Sequence, residues 1–138
     1  MNLDRFTISA TKRLQEAEGF VQSFSHPAME PVHLLAAMLA APDSITHELL
    51  RRLKLDASLM ATRAKEIMEQ LPQIDSSNTM AITQETAQVL EFSNVAARTM
   101  RDQYITEEHL FLSMIEMAKS LKNLLKNSRS RLQNGKKR

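Results

Sequence analysis

Residues 29–35 read Met-Glu-Pro-Val-His-Leu-Leu, and residues 105–111 read Ile-Thr-Glu-Glu-His-Leu-Phe. The two stretches lie 76 positions apart, and sliding the chain by that interval extends the match in both directions. Upstream, Phe6 meets Ile82, Thr7 meets Thr83, Leu14 meets Leu90, Val21 meets Ala97 and Phe24 meets Met100. Downstream, Met38 meets Met114 and Leu39 meets Ile115. Positions 10, 14, 17, 21 and 24 step by alternating fours and threes, so they form one helical stripe. One amphipathic helix matches another by chance. Agreement across two helices and the joint between them identifies a duplication.

The helices follow from that register. The first runs from Thr7 to about Phe24, with the Thr7 hydroxyl placed to cap it. A second opens at Glu30-Pro31, where proline costs no hydrogen bond, and stops before Pro42. The third begins near Asp43-Ser44; the fourth opens on Asp56 and ends at Leu71, before Pro72. Residues 73–81 are polar and rich in capping side chains, which marks a linker between repeat one (1–72) and repeat two (82–127). In the second repeat, helices are expected at Thr83 to Arg101, from Thr106, and at Ser120 to Asn127. The copy of the fourth helix would run past the last residue given, and Leu132 to Arg138 holds one apolar side chain. The expectation is an all-α fold of two four-helix repeats whose last helix is missing or vestigial.

Composition narrows the chemistry. Cysteine is absent, so disulfides, thiolate metal sites and cysteine nucleophiles are excluded. With two glycines in 138 residues there is no phosphate-cradling loop, and nothing here binds a nucleotide through one. No apolar run reaches membrane-span length and no signal-peptide core opens the chain, which suggests a cytoplasmic location. Lys119 to Arg138 contains eight basic residues and no acidic one. The remaining 118 positions hold ten basic and sixteen acidic residues, a net of −6. An acidic body thus carries a +8 tail. Residues 128–138 are expected to be a basic, disordered end. A nucleic-acid role for it would want interleaved aromatics, and none is present.

With the duplication established, the opening Met-Asn-Leu-Asp-Arg-Phe-Thr, the Glu30-Pro-Val-His-Leu-Leu35 segment and Asp102-Gln-Tyr-Ile-Thr-Glu-Glu-His-Leu110 resemble the N-terminal domain of Clp/Hsp100 chaperones, the ClpB type above all. The resemblance spans residues 1–127 and implies two repeats about a pseudo-twofold axis. It implies a non-enzymatic domain that receives unfolded or aggregated polypeptides, or an adaptor protein. In the intact chaperone the domain is joined to AAA+ ATPase domains that bind ATP and Mg and form a hexamer. It implies neither a nucleic-acid nor a membrane partner, and no cofactor within this chain. Carried over residue by residue, substrate handling falls on Thr7, Thr83, Asp102 and Glu108, with Leu90 and Phe92 as apolar lining. A further lining leucine of the family is His109 here.

Plainer readings stand beside these. Thr7 and Thr83 are helix caps in any case. Asp102, Glu107 and Glu108 read as a solvated helix start that favours negative charge, with no nucleophile or metal ligand nearby to make them an acid–base pair. His33 and His109 share one repeat position, and the four histidines lack metal-ligand spacing. The competing function is a free-standing interaction or oligomerisation module.

Overall fold

The computed structural model describes residues 3–74 and 81–128. Among them lie α1 (Ile8–Ser23), α2 (Pro31–Ala40), α3 (Ile45–Arg52), α4 (Ala57–Gln70), α5 (Gln84–Thr99), α6 (Glu107–Met117) and α7 (Lys122–Lys126), the last entered through a 3-10 turn at Lys119–Leu121. The all-α class is as expected, and the helix starts fall where the capping residues placed them. Thr7 Oγ1 accepts from the Ala10 N–H at 3.1 Å, Asp56 Oδ1 from Leu59 at 3.1 Å and Thr83 Oγ1 from Thr86 at 3.2 Å. Each such cap stabilises its helix by about 1 kcal/mol.

Three helices end in one common way. Ser25, Lys54 and Arg101 adopt left-handed backbone, with φ of 56°, 59° and 60°. The following N–H then folds back onto the helix: His26 to Val21 at 2.9 Å, Leu55 to Leu50 at 2.9 Å and Asp102 to Ala97 at 2.8 Å. Glycine is the usual residue at this position because a Cβ strains left-handed backbone. This glycine-poor chain fills all three places with side-chain-bearing residues.

The apolar faces meet in one core. Every residue of α2 from Pro31 to Leu39 is buried, which explains its nearly unbroken apolar sequence. Leu14, Leu34, Leu35, Met38, Leu50 and Met60 of the first repeat pack in the same cluster as Leu110, Phe111, Met114 and Leu121 of the second. One pair of positions shows how the copies diverged while keeping their geometry. Ala17 and Ala37 are fully or almost fully buried in repeat one. Their counterparts are Ser93 and Ser113, whose hydroxyls are 2.9 Å apart in a bond between α5 and α6.

The repeats are joined by reciprocal backbone exchange. The Thr7 N–H donates to Ile105 O at 3.0 Å and the Ile105 N–H to Arg5 O at 2.7 Å. Shifted by the repeat interval, the same bonds recur: Thr83 N–H to Met29 O at 3.0 Å and Met29 N–H to Ala81 O at 2.8 Å. Two isolated parallel bridges result, Phe6 with Ile105 and Met29 with Ile82. The segment entering the first helix of each repeat therefore pairs with the segment entering the second helix of the other. This is the expected pseudo-twofold relation, seen in individual hydrogen bonds.

Ser128 is buried, and its carbonyl accepts from the Asp56 N–H at 2.7 Å. The expected absence of an eighth helix and the expected disordered tail fall on residues 129–138, outside the described residues.

Exposed Lys54 gives a test of the helix ends. Lys54→Gly should relieve the left-handed strain and, after the larger entropy loss of glycine on folding, stabilise the protein by about 0.5–1 kcal/mol. Thermal unfolding followed by circular dichroism should show a rise of a few degrees in Tm. An unchanged or lower Tm would refute the assignment of strain.

Candidate functional site

The site lies where the duplication is imperfect. Leu14 is fully buried, whereas its counterpart Leu90 is only partly covered. The difference opens a hollow of about 330 Å³ lined by Phe6, Ile82, Leu90 and Ile105, with Arg5 and Glu91 at its edge. A second hollow, of about 360 Å³, is lined by Thr7, Met100, Asp102, Tyr104, Glu108 and His109. The Phe6–Ile105 bridge runs between them, since Phe6 and Ile105 face the first hollow and their successors Thr7 and Thr106 the second.

Of the residues singled out in the sequence, Thr7, Asp102 and Glu108 are brought together in the second hollow, and Leu90 lines the first. Thr83 is the pseudo-twofold mate of Thr7 and lines neither. Phe92 does not join Leu90. Two helical steps turn a side chain by about 200°, so residues two apart on α5 cannot share a face. Phe92 stands half-exposed, and it belongs to neither hollow.

The geometry of the second hollow rests on His109. Its Nδ1 lies 2.9 Å from the Thr106 N–H, which donates to it, and its Nε2 lies 3.0 Å from Asp102 Oδ2. With Nδ1 occupied as an acceptor, Nε2 carries the proton and donates to the carboxylate. His109 is itself buried, while the Asp102 side chain is half-exposed. His109 thus braces Asp102 at the wall of the second hollow.

Glu107 departs from the expected solvated helix start. It is 5% exposed, and its two oxygens accept from Ser9 Oγ and Ser44 Oγ, each at 2.5 Å. The carboxylate therefore meets the first turn of α1, the N-cap of α3 and the first turn of its own helix, all positive dipole ends. Repeat two solves the same problem differently. Glu85 stands at the position equivalent to Ser9 and accepts from the backbone N–H and hydroxyl of Ser120, the counterpart of Ser44.

Sequence reasoning overlooked Tyr104 and Met100 in the second hollow and Phe6, Ile82 and Ile105 in the first. A signal for some of them was present in the repeat. Tyr104 stands where repeat one has Ala28, and Met100 where it has Phe24. Both are exposed large apolar side chains. The site as a whole offers apolar surface beside two carboxylates, a combination suited to binding rather than to bond cleavage. Among the described residues no three side chains are grouped as metal ligands. No described helix is long and apolar enough to cross a membrane.

Two all-helical repeats exchanging their entry segments around a pseudo-twofold axis define a double-repeat helical domain. The Clp repeat N-terminal domain model matches residues 5–128, and the chain belongs to that family. It is 31% identical over 128 residues to the chaperone protein ClpB of Porphyromonas gingivalis, covering 93% of this chain and 15% of that protein. It is 30% identical over 125 residues to ClpB of Propionibacterium freudenreichii, covering 89% of this chain and 14% of the relative. The chain thus spans about one-seventh of the length of these curated relatives. Among solved structures, the Hsp104 N-terminal domain from Candida albicans superposes with a TM-score of 0.81 at 21% identity, over 90% of this chain and 81% of that one. The N-terminal domain of the ClpV1 ATPase from E. coli gives 0.78 at 21% identity, over 96% and 83%. These structural likenesses show the fold.

Glu107 yields the prediction for this region. Glu107→Ala leaves the hydroxyls of Ser9 and Ser44 without their acceptor and should cost about 2–4 kcal/mol. Glu107→Gln keeps one carbonyl acceptor and should cost about half as much. Urea unfolding measures both, and a loss below about 1 kcal/mol for the alanine variant would contradict the bridging role.

Proposed function

We propose that this chain is the substrate- and adaptor-receiving N-terminal domain of a ClpB-like AAA+ disaggregase, engaging exposed hydrophobic segments of unfolded or aggregated proteins. The observation that carries this reading is the pair of hollows flanking the Phe6–Ile105 bridge, one apolar and one rimmed by Asp102 and Glu108. Volumes of about 330 and 360 Å³ lie at the low end for ligand sites. Each accommodates one or two side chains rather than a folded partner. Contact is then weak and readily released, as a module that hands its load onward requires. The carboxylates favour apolar segments flanked by lysine or arginine, with an attraction that salt screens. Family membership adds the context of an ATPase ring supplied by other domains, where ATP and Mg would act. No step of polypeptide threading belongs to the residues described here.

Titrating the isotope-labelled 138-residue chain with a reduced, unfolded casein tests the proposal. Amide shifts are expected to move around Phe6, Thr7, Leu90, Asp102 and Ile105. Leu90→Asp should weaken binding about tenfold or more, and Asp102→Asn with Glu108→Gln should remove most of its salt dependence. Absence of any shift change would overturn the proposal. A concentration-dependent dimer in sedimentation that buries these residues would favour the free-standing oligomerisation module instead.

A further inference from the structure

The joint between α1 and α2 holds a buried histidine pair for which substrate binding has no use. His26 and His33 are 3% and 0% exposed, and His26 Nδ1 lies 2.7 Å from His33 Nε2. The hydrogen-bond network assigns the protons. The Glu30 N–H donates to His33 Nδ1 at 2.8 Å, so that nitrogen is an acceptor and the His33 proton sits on Nε2. Nε2–H then donates to His26 Nδ1, which leaves the His26 proton on its own Nε2, buried without a hydrogen-bond partner among the described residues. The ring of Phe24 stacks on His26 with centroids 5.2 Å apart. Both acceptor nitrogens are occupied, so the neutral pair keeps both of these bonds, and a pair protonated on both rings, a donor at every nitrogen, keeps neither. A proton on His26 Nδ1 abolishes the bond between the rings, and one on His33 Nδ1 abolishes the bond from Glu30.

The duplication supplies an internal control. His26 and His33 occupy the positions of Asp102 and His109 in repeat two. There His109 Nε2 faces the Asp102 carboxylate, an acceptor in place of a second imidazole, and Thr106 Oγ1 stands 3.0 Å from Nδ1. We propose that the α1–α2 joint of repeat one is an acid-released latch, closed by the neutral His26–His33 pair, whereas its twin in repeat two stays closed in acid. The joint carries Met29, whose N–H and carbonyl form the inter-repeat bridge to Ala81 and Thr83. Opening therefore loosens one bridge and spares the one beside the candidate site.

The groups facing the pair act in both directions, burial favouring the neutral form and the Glu30 carboxylate the charged one. Burial first, and then His26, lower His33 from the ordinary 6.5 to about 4. Burial raises Glu30 above the ordinary carboxylate value, its attraction to His26 pulls it partly back, and Glu85 of α5 raises it again. A histidine held below its unfolded value stabilises the fold fully above pH 6.5 and loses that contribution as the pH falls towards 4.

Two measurements on the 138-residue chain test the latch. Long-range proton–nitrogen spectra at pH 7.5 should show His26 and His33 both as Nε2–H tautomers, with His33 protonating well below pH 6.5. Amides around Met29 and Thr83 should lose exchange protection with that protonation, while those around Thr7 and Ile105 keep theirs. His26→Asp transplants the repeat-two arrangement and should flatten the fall in Tm between pH 7 and 4.5 by at least half. Protonation of His33 near pH 6.5, equal loss of protection at the two bridges, or an unaltered Tm slope in the variant would each overturn the proposal.

Discussion

The structure depends on two short stretches of backbone that each repeat gives to the other. A helix bundle normally satisfies its main-chain groups within its helices and leaves the joints to solvent. Here the joints are occupied. Arg5 and Thr7 pair with Ile105, and Ala81 and Thr83 pair with Met29, so each α-helical hairpin is opened and closed by residues from across the axis. This fixes the relative placement of the repeats more tightly than apolar packing alone, because backbone bonds are directional and buried main-chain groups are costly to leave unpaired. It also places Thr7 beside the loop that carries Asp102. Distant parts of the sequence therefore meet at one surface.

What could be read in the residues and what could not divides along physical lines. Helix starts were legible because the cap and its N–H partner lie two or three positions apart, as at Thr7, Asp56 and Thr83. The duplication was legible because apolar residues recur at one interval through both helices and their joint. Glu107 was misread because its acceptor role is decided by Ser9 and Ser44, far away in the chain. The hollows escaped notice for another reason. They arise from missing bulk between Leu90, Phe6 and Ile82, and a sequence displays residues rather than gaps. The left-handed backbone at Ser25, Lys54 and Arg101 gave no signal either, since the glycine that ordinarily marks it is absent.

The comparison of the two copies is more informative than either alone. Wherever they agree, as in the caps and the cross-axis bonds, the shared chemistry belongs to the scaffold. Where they differ, the difference points to individual use. Leu14 is sealed and Leu90 is half-open; Ala17 and Ala37 are simply buried, while Ser93 and Ser113 bond. His33 leans on another imidazole and His109 on a carboxylate. The same backbone thus supports a closed joint on one side and a carboxylate-bearing surface on the other. Placement of the acidic residues follows the second pattern, consistent with an acidic body whose overall charge is masked by basic residues near the C-terminal end.

The reciprocal exchange has a consequence for assembly. An isologous interface is one in which a patch on one unit meets the same patch on another, as in a symmetric homodimer. The two bridges meet that definition within a single polypeptide. Joining the halves in one chain turns what would be a concentration-dependent encounter into an intramolecular one. The molecule is in this sense a homodimer written as one chain. Freed from the need to remain identical, its halves can drift apart in side-chain chemistry while the symmetry of their main-chain contacts still holds them in register.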